Sequence, residues 1–393
     1  MKNLIQAQTR LSLKAFGTYI PTYSFSSSEK VQKNKATSKT GTIDKLIKAF
    51  TPNDVKQHLN RDTKAPKDIP VVPWFPTKLD ELDAMGGELI KTDEESHRDH
   101  PSFTDPEYRK RRDQIAENCK TNKKGEPIPV LDYLPSELAT WKTIYQKVVP
   151  MHEKIMCKQY RECFKKIEDN CGMSENNIPQ LRDLSRYLTS ETGFRMKPVH
   201  GILSQREFLN ALAFRVFCCT QYIRHHKFPF YTPEPDVVHE IMGHVPMFAD
   251  KSFADMSQMI GLLSIGANEE DIKFLAAAYW FTVEFGACLE GNELKAYGAG
   301  IAPCVEELEN FVSDKPVFKD FEVENIVSEY PLQSVQPLFL VAKSFEDAKA
   351  KLIEFGEKTT RPFRAFYDEK TETIKTDREV IMRKAEEKAV YFQ

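Results

Sequence analysis

No two of the eight cysteines stand in a C-x-x-C arrangement, and the adjacent Cys218 and Cys219 are poorly placed to bridge each other. A disulfide framework is therefore excluded as the organising device, and a reducing compartment is expected. No apolar run reaches membrane-spanning length. The longest, 274–289, holds 16 residues and is interrupted by Glu284, short of the roughly 20 that a span requires, so it reads as a buried helix. No charge of one sign dominates: 55 basic against 58 acidic residues give a net charge of -3. That balance offers no strong field to nucleic acid or to an anionic membrane and favours small-molecule partners. Asp and Glu are absent from the first 28 residues, which carry Lys2, Arg10 and Lys14. This bias suits an ordinary polar tail, with a cytoplasmic location, or an organelle transit peptide, including a mitochondrial one.

What is present is enough hydrophobic material, 41% of 393 residues, to bury a substantial core. Polar, lysine-rich 26–39 and the Pro/Lys-rich link 61–73 mark residues 1–70 as a mostly disordered or vestigial appendage. Within it, Ile43, Leu46, Ile47 and Phe50 form one short amphipathic pattern that needs a surface to pack on. The main domain is expected over 71–366, followed by a short C-terminal arm and helix over 367–393. Helical periodicity runs through 141–167, 178–188, 204–225, 252–265 and 268–289. Ser204 with Glu207 makes a capping box, and Asn268 precedes three acids in a first turn. Beyond Glu290 the pattern shortens to strand-like 336–342, 363–367 and 373–375. The expected fold is mainly α, with small β elements toward the C-terminus.

The segment Pro233-Glu234-Pro235-Asp236-Val237-Val238-His239-Glu240-Ile241-Met242-Gly243-His244 starts a short helix with Asp236 as N-cap. Gly243 weakens its last turn and Pro246 blocks continuation, which sets His244 at a frayed end. The two histidines are five residues apart and would diverge by roughly 140° on a regular helix, at ~100° per residue. Only an irregular end lets them converge. Alone, such a pair is also what hydrogen-bonded structural histidines look like. Glu284 adds weight, because Trp280, Phe281, Val283, Phe285 and Ala287 bury both sides of its helix. A buried carboxylate costs several kcal/mol unless it meets a cation, which could be an arginine or a metal. Two imidazoles and one carboxylate suit Fe(II), and the same ligand types also serve hydrolytic zinc, with Glu240 as general base. Ala276, Trp280 and Glu284 share one helical face, which could bound a pocket for a flat molecule or simply be core.

A longer set of motifs narrows this. Val72-Pro73-Trp74-Phe75-Pro76, Asp99-His100-Pro101, Asn177-Ile178-Pro179-Gln180-Leu181, Ala213-Phe214-Arg215-Val216-Phe217 and the segment 231–244 are the first part of it. Tyr279-Trp280-Phe281-Thr282-Val283-Glu284-Phe285-Gly286, Ala296-Tyr297-Gly298-Ala299-Gly300 and Arg361-Pro362-Phe363 complete it. In these the chain resembles the pterin-dependent aromatic amino acid hydroxylases over roughly four fifths of its length. The resemblance implies a helical catalytic domain that hydroxylates L-phenylalanine to L-tyrosine with dioxygen, Fe(2+) and tetrahydrobiopterin. Tryptophan or tyrosine as main substrate, or a zinc-dependent hydrolase, are the alternatives.

By the same resemblance His239, His244 and Glu284 hold the iron. Phe208 stacks on the pterin, beside Gly201, Leu203, Gln205, Glu240, Ala276 and Tyr279. Arg224 clamps the amino acid carboxylate as a planar fork, oriented by Asp236 with Thr232 nearby, and Pro235, Trp280 and Phe285 enclose the ring. Trp280 matches the phenylalanine and tyrosine enzymes rather than the tryptophan ones, and Tyr231 and Leu332 match the phenylalanine pattern rather than the tyrosine one. The chain departs from the family at Pro303, where a serine is usual and where such supporting groups are worth ~10- to 100-fold in affinity or activity, and also at Cys218 and His200. Residues 1–70 are too few and too polar for a complete regulatory ACT domain. The tail after Lys375 lacks the heptads of a tetramer-forming coiled coil, which leaves a homodimer or a monomer.

Overall fold

The computed structural model describes residues 69–383 apart from 85–103, 233, 332–333 and 359–360. The expected appendage with its Ile43–Phe50 pattern, Asp99-His100-Pro101, Leu332 and the chain beyond Arg383 lie outside the described residues. The helices are α1 (Pro106–Thr121), α2 (Pro135–Ile155), α3 (Lys158–Cys171), α4 (Leu181–Thr192), α5 (Gln205–Ala213), α6 (Val245–Phe248) and α7 (Lys251–Ser264). They continue with α8 (Glu269–Tyr279), α9 (Val305–Phe311) and α10 (Phe345–Lys358). Strands are short: β1 (Val71–Pro73), β2 (Arg195–Pro198), β3 (Val216–Cys219), β4 (Ala287–Glu290), β5 (Glu293–Ala296), β6 (Val317–Asp320), β7 (Leu338–Ala342), β8 (Ala365–Asp368), β9 (Thr373–Thr376) and β10 (Ile381–Arg383). The mainly α expectation holds, with strands toward the C-terminus and two further parallel pairs, β1–β10 and β2–β3.

Local chemistry sets the helix ends. Ser204 Oγ accepts the Glu207 N–H at 3.2 Å while the Glu207 carboxylate accepts the Ser204 N–H at 3.1 Å, completing the capping box. Asn268 caps α8 by accepting the Asp271 N–H at 2.8 Å. Along α3, Tyr160, Phe164 and Ile167 recur at helical spacing and are buried, each contributing about 1.5–3 kcal/mol. No described helix is long and apolar enough to cross a membrane.

Three expected helices break. The 141–167 pattern divides into α2 and α3 at Met156-Cys157, where the Cys157 N–H turns outward to the Ala296 carbonyl at 2.8 Å. The 204–225 pattern stops after α5 because Arg215 takes a left-handed conformation, φ 56°. Val216–Cys219 then runs as a fully buried parallel strand beside β2. A short apolar run looks the same in either state. The 268–289 pattern ends as a helix at Tyr279 and finishes in β4. Helix α4 also begins later and ends later than 178–188, at Gly193 with φ 79°. Helices α1, α9 and α10 carry no expectation from periodicity. The anticipated strands appear as β7, β8 and β9, and β7 joins a four-stranded sheet of order β5-β4-β7-β6.

Candidate active site

His239 to His244 form a π-helical turn, and so do Trp280 to Glu284, directly after α8. The bonds that close them are Val245 N–H to Glu240 O and Phe285 N–H to Trp280 O, each spanning five residues. An i→i+5 turn stacks residues five apart, and this brings the two imidazoles together. The frayed end expected at His244 is thus an ordered wide turn, and the chain continues into α6 with Pro246 in its first turn, where proline is tolerated. Pro246 has no N–H to give the Met242 carbonyl, and the buried Tyr160 hydroxyl donates to it instead at 2.6 Å. The loop 296–300 locks both turns: Ala299 N–H bonds Val283 O at 2.9 Å and Gly300 N–H bonds Glu284 O at 2.7 Å. Contact is so close that a Cβ on Gly243 would lie 2.4 Å from Ala299 O, and one on Gly298 would lie 2.3 Å from Glu284 O. Gly243 is there to admit a neighbouring backbone, not merely to end a helix.

The consequence is a convergence of three acceptors. His239 Nε2 and His244 Nε2 are 3.0 Å apart, and the Glu284 oxygens lie 3.5 Å and 3.2 Å from them. Atoms bound at about 2.1 Å to one ion, at right angles, stand roughly 3.0 Å apart. One proton could bridge only one of these contacts, whereas one cation serves all three, so the donor set fits a divalent metal. Burial holds His239 neutral, its pKa lowered to about 4. Burial alone would raise Glu284, but the neighbouring His244 and His239 keep its carboxyl below the ordinary range. The Nδ1 of His244 is buried and has no partner among the described residues. Its ring lies against Phe217, with centroids 4.6 Å apart.

Glu240 competes for the third position, with an oxygen within 4.8 Å of both imidazoles. Its carboxylate is already occupied, accepting the Thr220 N–H at 2.9 Å and the Thr220 hydroxyl at 3.2 Å, and burial pushes its pKa up to about 7. Glu284, which faces both rings, is the better donor.

Asp236, the N-cap that accepts the His239 N–H at 3.2 Å, is fully buried against Arg224. Arg224 Nε and Nη2 reach its two oxygens at 2.9 and 2.8 Å, and the Arg224 backbone N–H adds a third bond at 2.7 Å. One edge of the guanidinium is spent on Asp236, and the Nη1 side, which makes one long bond to the Pro229 carbonyl at 3.5 Å, has a second N–H to offer another anion. Thr232 turns its hydroxyl to the Glu234 carbonyl at 2.7 Å, and Pro235 is exposed at the same turn. Trp280 and Phe285 lie 4.6 Å apart. On the other flank Phe208 meets Tyr279 edge-on at 5.1 Å, beside buried Gly201, Leu203 and Ala276. Gln205 Oε1 is buried and has no partner among the described residues, which fits an acceptor awaiting a heterocyclic N–H. A cavity of about 330 Å³, lined by Asp105, Tyr108, Arg111, Glu137 and His226, reaches Arg224 and none of the three acceptors.

Tyr160 and Thr220 escape sequence reasoning, and the 296–300 segment enters it only as a motif, without its role of locking the two turns. Pro246 is the one available clue, since a proline inside a helical stretch implies a replacement donor somewhere.

A family model described as biopterin-dependent aromatic amino acid hydroxylase matches residues 73–389. Phenylalanine-4-hydroxylase of Bos taurus is 48% identical over 317 residues, covering 80% of this chain and 69% of that one. Tyrosine 3-monooxygenase of Mus musculus is 47% identical over 304 residues, covering 77% and 61%. Among solved structures, Chromobacterium violaceum phenylalanine hydroxylase with bound iron (III) and oxidised 7,8-dihydrobiopterin superimposes with a TM-score of 0.54 at 27% identity, over 59% of this chain and 84% of that one.

Proposed function

The chain belongs to the biopterin-dependent aromatic amino acid hydroxylases, and from that premise we propose that it converts L-phenylalanine to L-tyrosine at an iron held by His239, His244 and Glu284. Membership sets aside the hydrolytic alternative. The observation that carries the proposal is the convergence of two imidazoles and one carboxylate within 3.0–3.5 Å. When bound, ferrous iron and the reduced pterin supply the electrons that reduce dioxygen for insertion of one oxygen atom into the ring.

The side chains bind and orient. Phe208 offers its face to the pterin, Gln205 and Glu240 offer acceptors, and Gly201, Leu203, Ala276 and Tyr279 form the wall. Arg224 takes the substrate carboxylate through its Nη1 edge, held in plane by Asp236 with Thr232 at the neighbouring turn. Pro235, Trp280 and Phe285 fix the ring, and a desolvated ring leaves little room for competing water.

Phenylalanine is favoured because the walls are apolar. Tyrosine is the second reading, supported by the likeness to tyrosine 3-monooxygenase, since an apolar pocket rejects a hydroxyl-bearing analogue by only about 10²-fold. The test is anaerobic iron loading, then oxygen and tetrahydrobiopterin with Phe, Tyr or Trp separately, products identified by mass. Tyrosine from phenylalanine at the highest kcat/KM is expected. A preference for another ring overturns the substrate, and no product from any of them overturns the reaction.

A further inference from the structure

Trp280 opens the π turn that Glu284 closes, so its indole is carried on the same rigid unit as the carboxylate. The ring is stacked on Tyr330 at 4.4 Å and tilted against Phe285 at 4.6 Å. Stacking leaves a ring free to slide in its own plane. What stops the slide is Gln336, 56 residues away, whose Oε1 accepts the indole N–H at 3.0 Å.

Gln336 is itself fully constrained. Its Nε2 donates to Pro331 O at 2.9 Å and more weakly to Ser334 O at 3.4 Å. Both are acceptors, which fixes the amide with its oxygen toward Trp280. Its backbone N–H goes to Glu307 Oε1 at 2.8 Å and its carbonyl accepts Asn310 Nδ2 at 2.9 Å. Gln336, Glu307 and Asn310 are 2%, 5% and 7% exposed. A buried amide with all four of its polar groups engaged is an expensive way to fill core volume. Among the described residues, its one side-chain bond outside its own loop is to the indole.

Resting on the hydroxylase reading above, we propose that Gln336 is a positioning residue for ring selectivity. It pins the Trp280 indole so that the wall facing the substrate ring stays at a fixed depth, while α9, through Glu307 and Asn310, holds Gln336. Gln336→Met keeps the length, removes the acceptor and leaves the indole N–H unpaired. Freed to shift, the indole no longer bounds the pocket at one depth. KM for phenylalanine should rise roughly tenfold with kcat altered far less, and the preference for phenylalanine over tryptophan should fall by about the same factor, the scale of a small change in an apolar pocket.

The decisive measurement is a double-mutant cycle on the full chain: wild type, Gln336→Met, Trp280→Phe and the double variant, assayed with iron, tetrahydrobiopterin and either Phe or Trp. Trp280→Phe has no N–H to pin, so Gln336→Met should change selectivity in the wild-type background and not in the Trp280→Phe background. Tryptophan emission supplies a second readout that needs no turnover. The chain has three tryptophans, and Gln336→Met should shift emission only while Trp280 is present. Equal effects of Gln336→Met in both backgrounds, or none in either, overturn the proposal. An inactive wild type would sink the hydroxylase reading, and the emission cycle would still decide whether Gln336 pins Trp280. Should Gln336→Met not fold, Gln336→Asn, one methylene shorter, carries the same cycle.

Discussion

Two clusters of buried ionisable groups are built on one short stretch of chain, and they solve opposite problems. At Asp236 a carboxylate meets a guanidinium edge-on, and with three donors from Arg224 and the His239 N–H every charge is answered within the protein. Three residues later, His239 faces His244 and Glu284 with no guanidinium or ammonium among the described residues to answer the carboxylate, and in the tautomer that turns both Nε2 lone pairs inward all three groups present acceptors. The first cluster is complete as folded and the second is complete only with a cation. The lesson is that burial and short distances do not distinguish a structural ion pair from a ligand set. The count of donors against acceptors does.

Removing one member of each cluster should therefore have opposite signatures. Glu284→Ala should lose stoichiometric iron and drop turnover by well over 100-fold, beyond what loss of a supporting group costs. In chelator its thermal midpoint should be no lower than wild type, because an uncompensated acceptor is gone. Iron retained by this variant, measured by elemental analysis, would dissolve the distinction between the clusters. Asp236→Ala should do the reverse in stability, stranding the Arg224 charge at about 3–5 kcal/mol in denaturant unfolding of the metal-free protein. A cost under about 1 kcal/mol would mean the pair is not self-sufficient. Tyr160→Phe is gentler: it orphans the Met242 carbonyl, which Pro246 cannot satisfy, at about 1–3 kcal/mol. Iron affinity should fall roughly tenfold as the π turn loosens, toward the lower end of what supporting groups contribute. Unchanged affinity by competitive chelation would relieve Tyr160 of any part in the site.

Much of the fold and of the site is legible in the sequence. The stranded acid in a hydrophobic run pointed to Glu284, and the 3.6-residue periodicity located α7 and both capped starts. The spacing of five between His239 and His244 is incompatible with a regular helix, and the chain resolves it with a π turn instead of the frayed end that Gly243 and Pro246 suggest. A π turn has no compositional signature, because what stabilises it is tertiary: Ala299 over Gly243, and Tyr160 under Met242. The strand Val216–Cys219 was hidden for a related reason, as four apolar residues buried on both faces carry no alternation. Gln336 and Glu307 were invisible because their meaning lies in a partner on another element.

Glu307 is a third kind of buried acid, and it sharpens the comparison most finely. Among the described residues its carboxylate meets neither a guanidinium nor two imidazoles, only the Gln336 N–H and the Asn310 amide, and burial raises its pKa to about 7 from 4.5. A folded-state value above the unfolded one means the folded protein holds the proton longer. Relative stability from this group is then fully present below pH ~4.5 and is lost as pH rises to about 7. Glu307→Gln keeps an acceptor for Gln336 and removes the ionisation. The two proteins should match near pH 4.5–5, and at pH 8 the variant should be the more stable by on the order of 1 kcal/mol, well below the full pKa difference once solvent relaxation is allowed for. In thermal scans that is a few degrees. A gap that stays constant from pH 5 to 8 would show that Glu307 is answered by a charge after all, which would place it with Asp236.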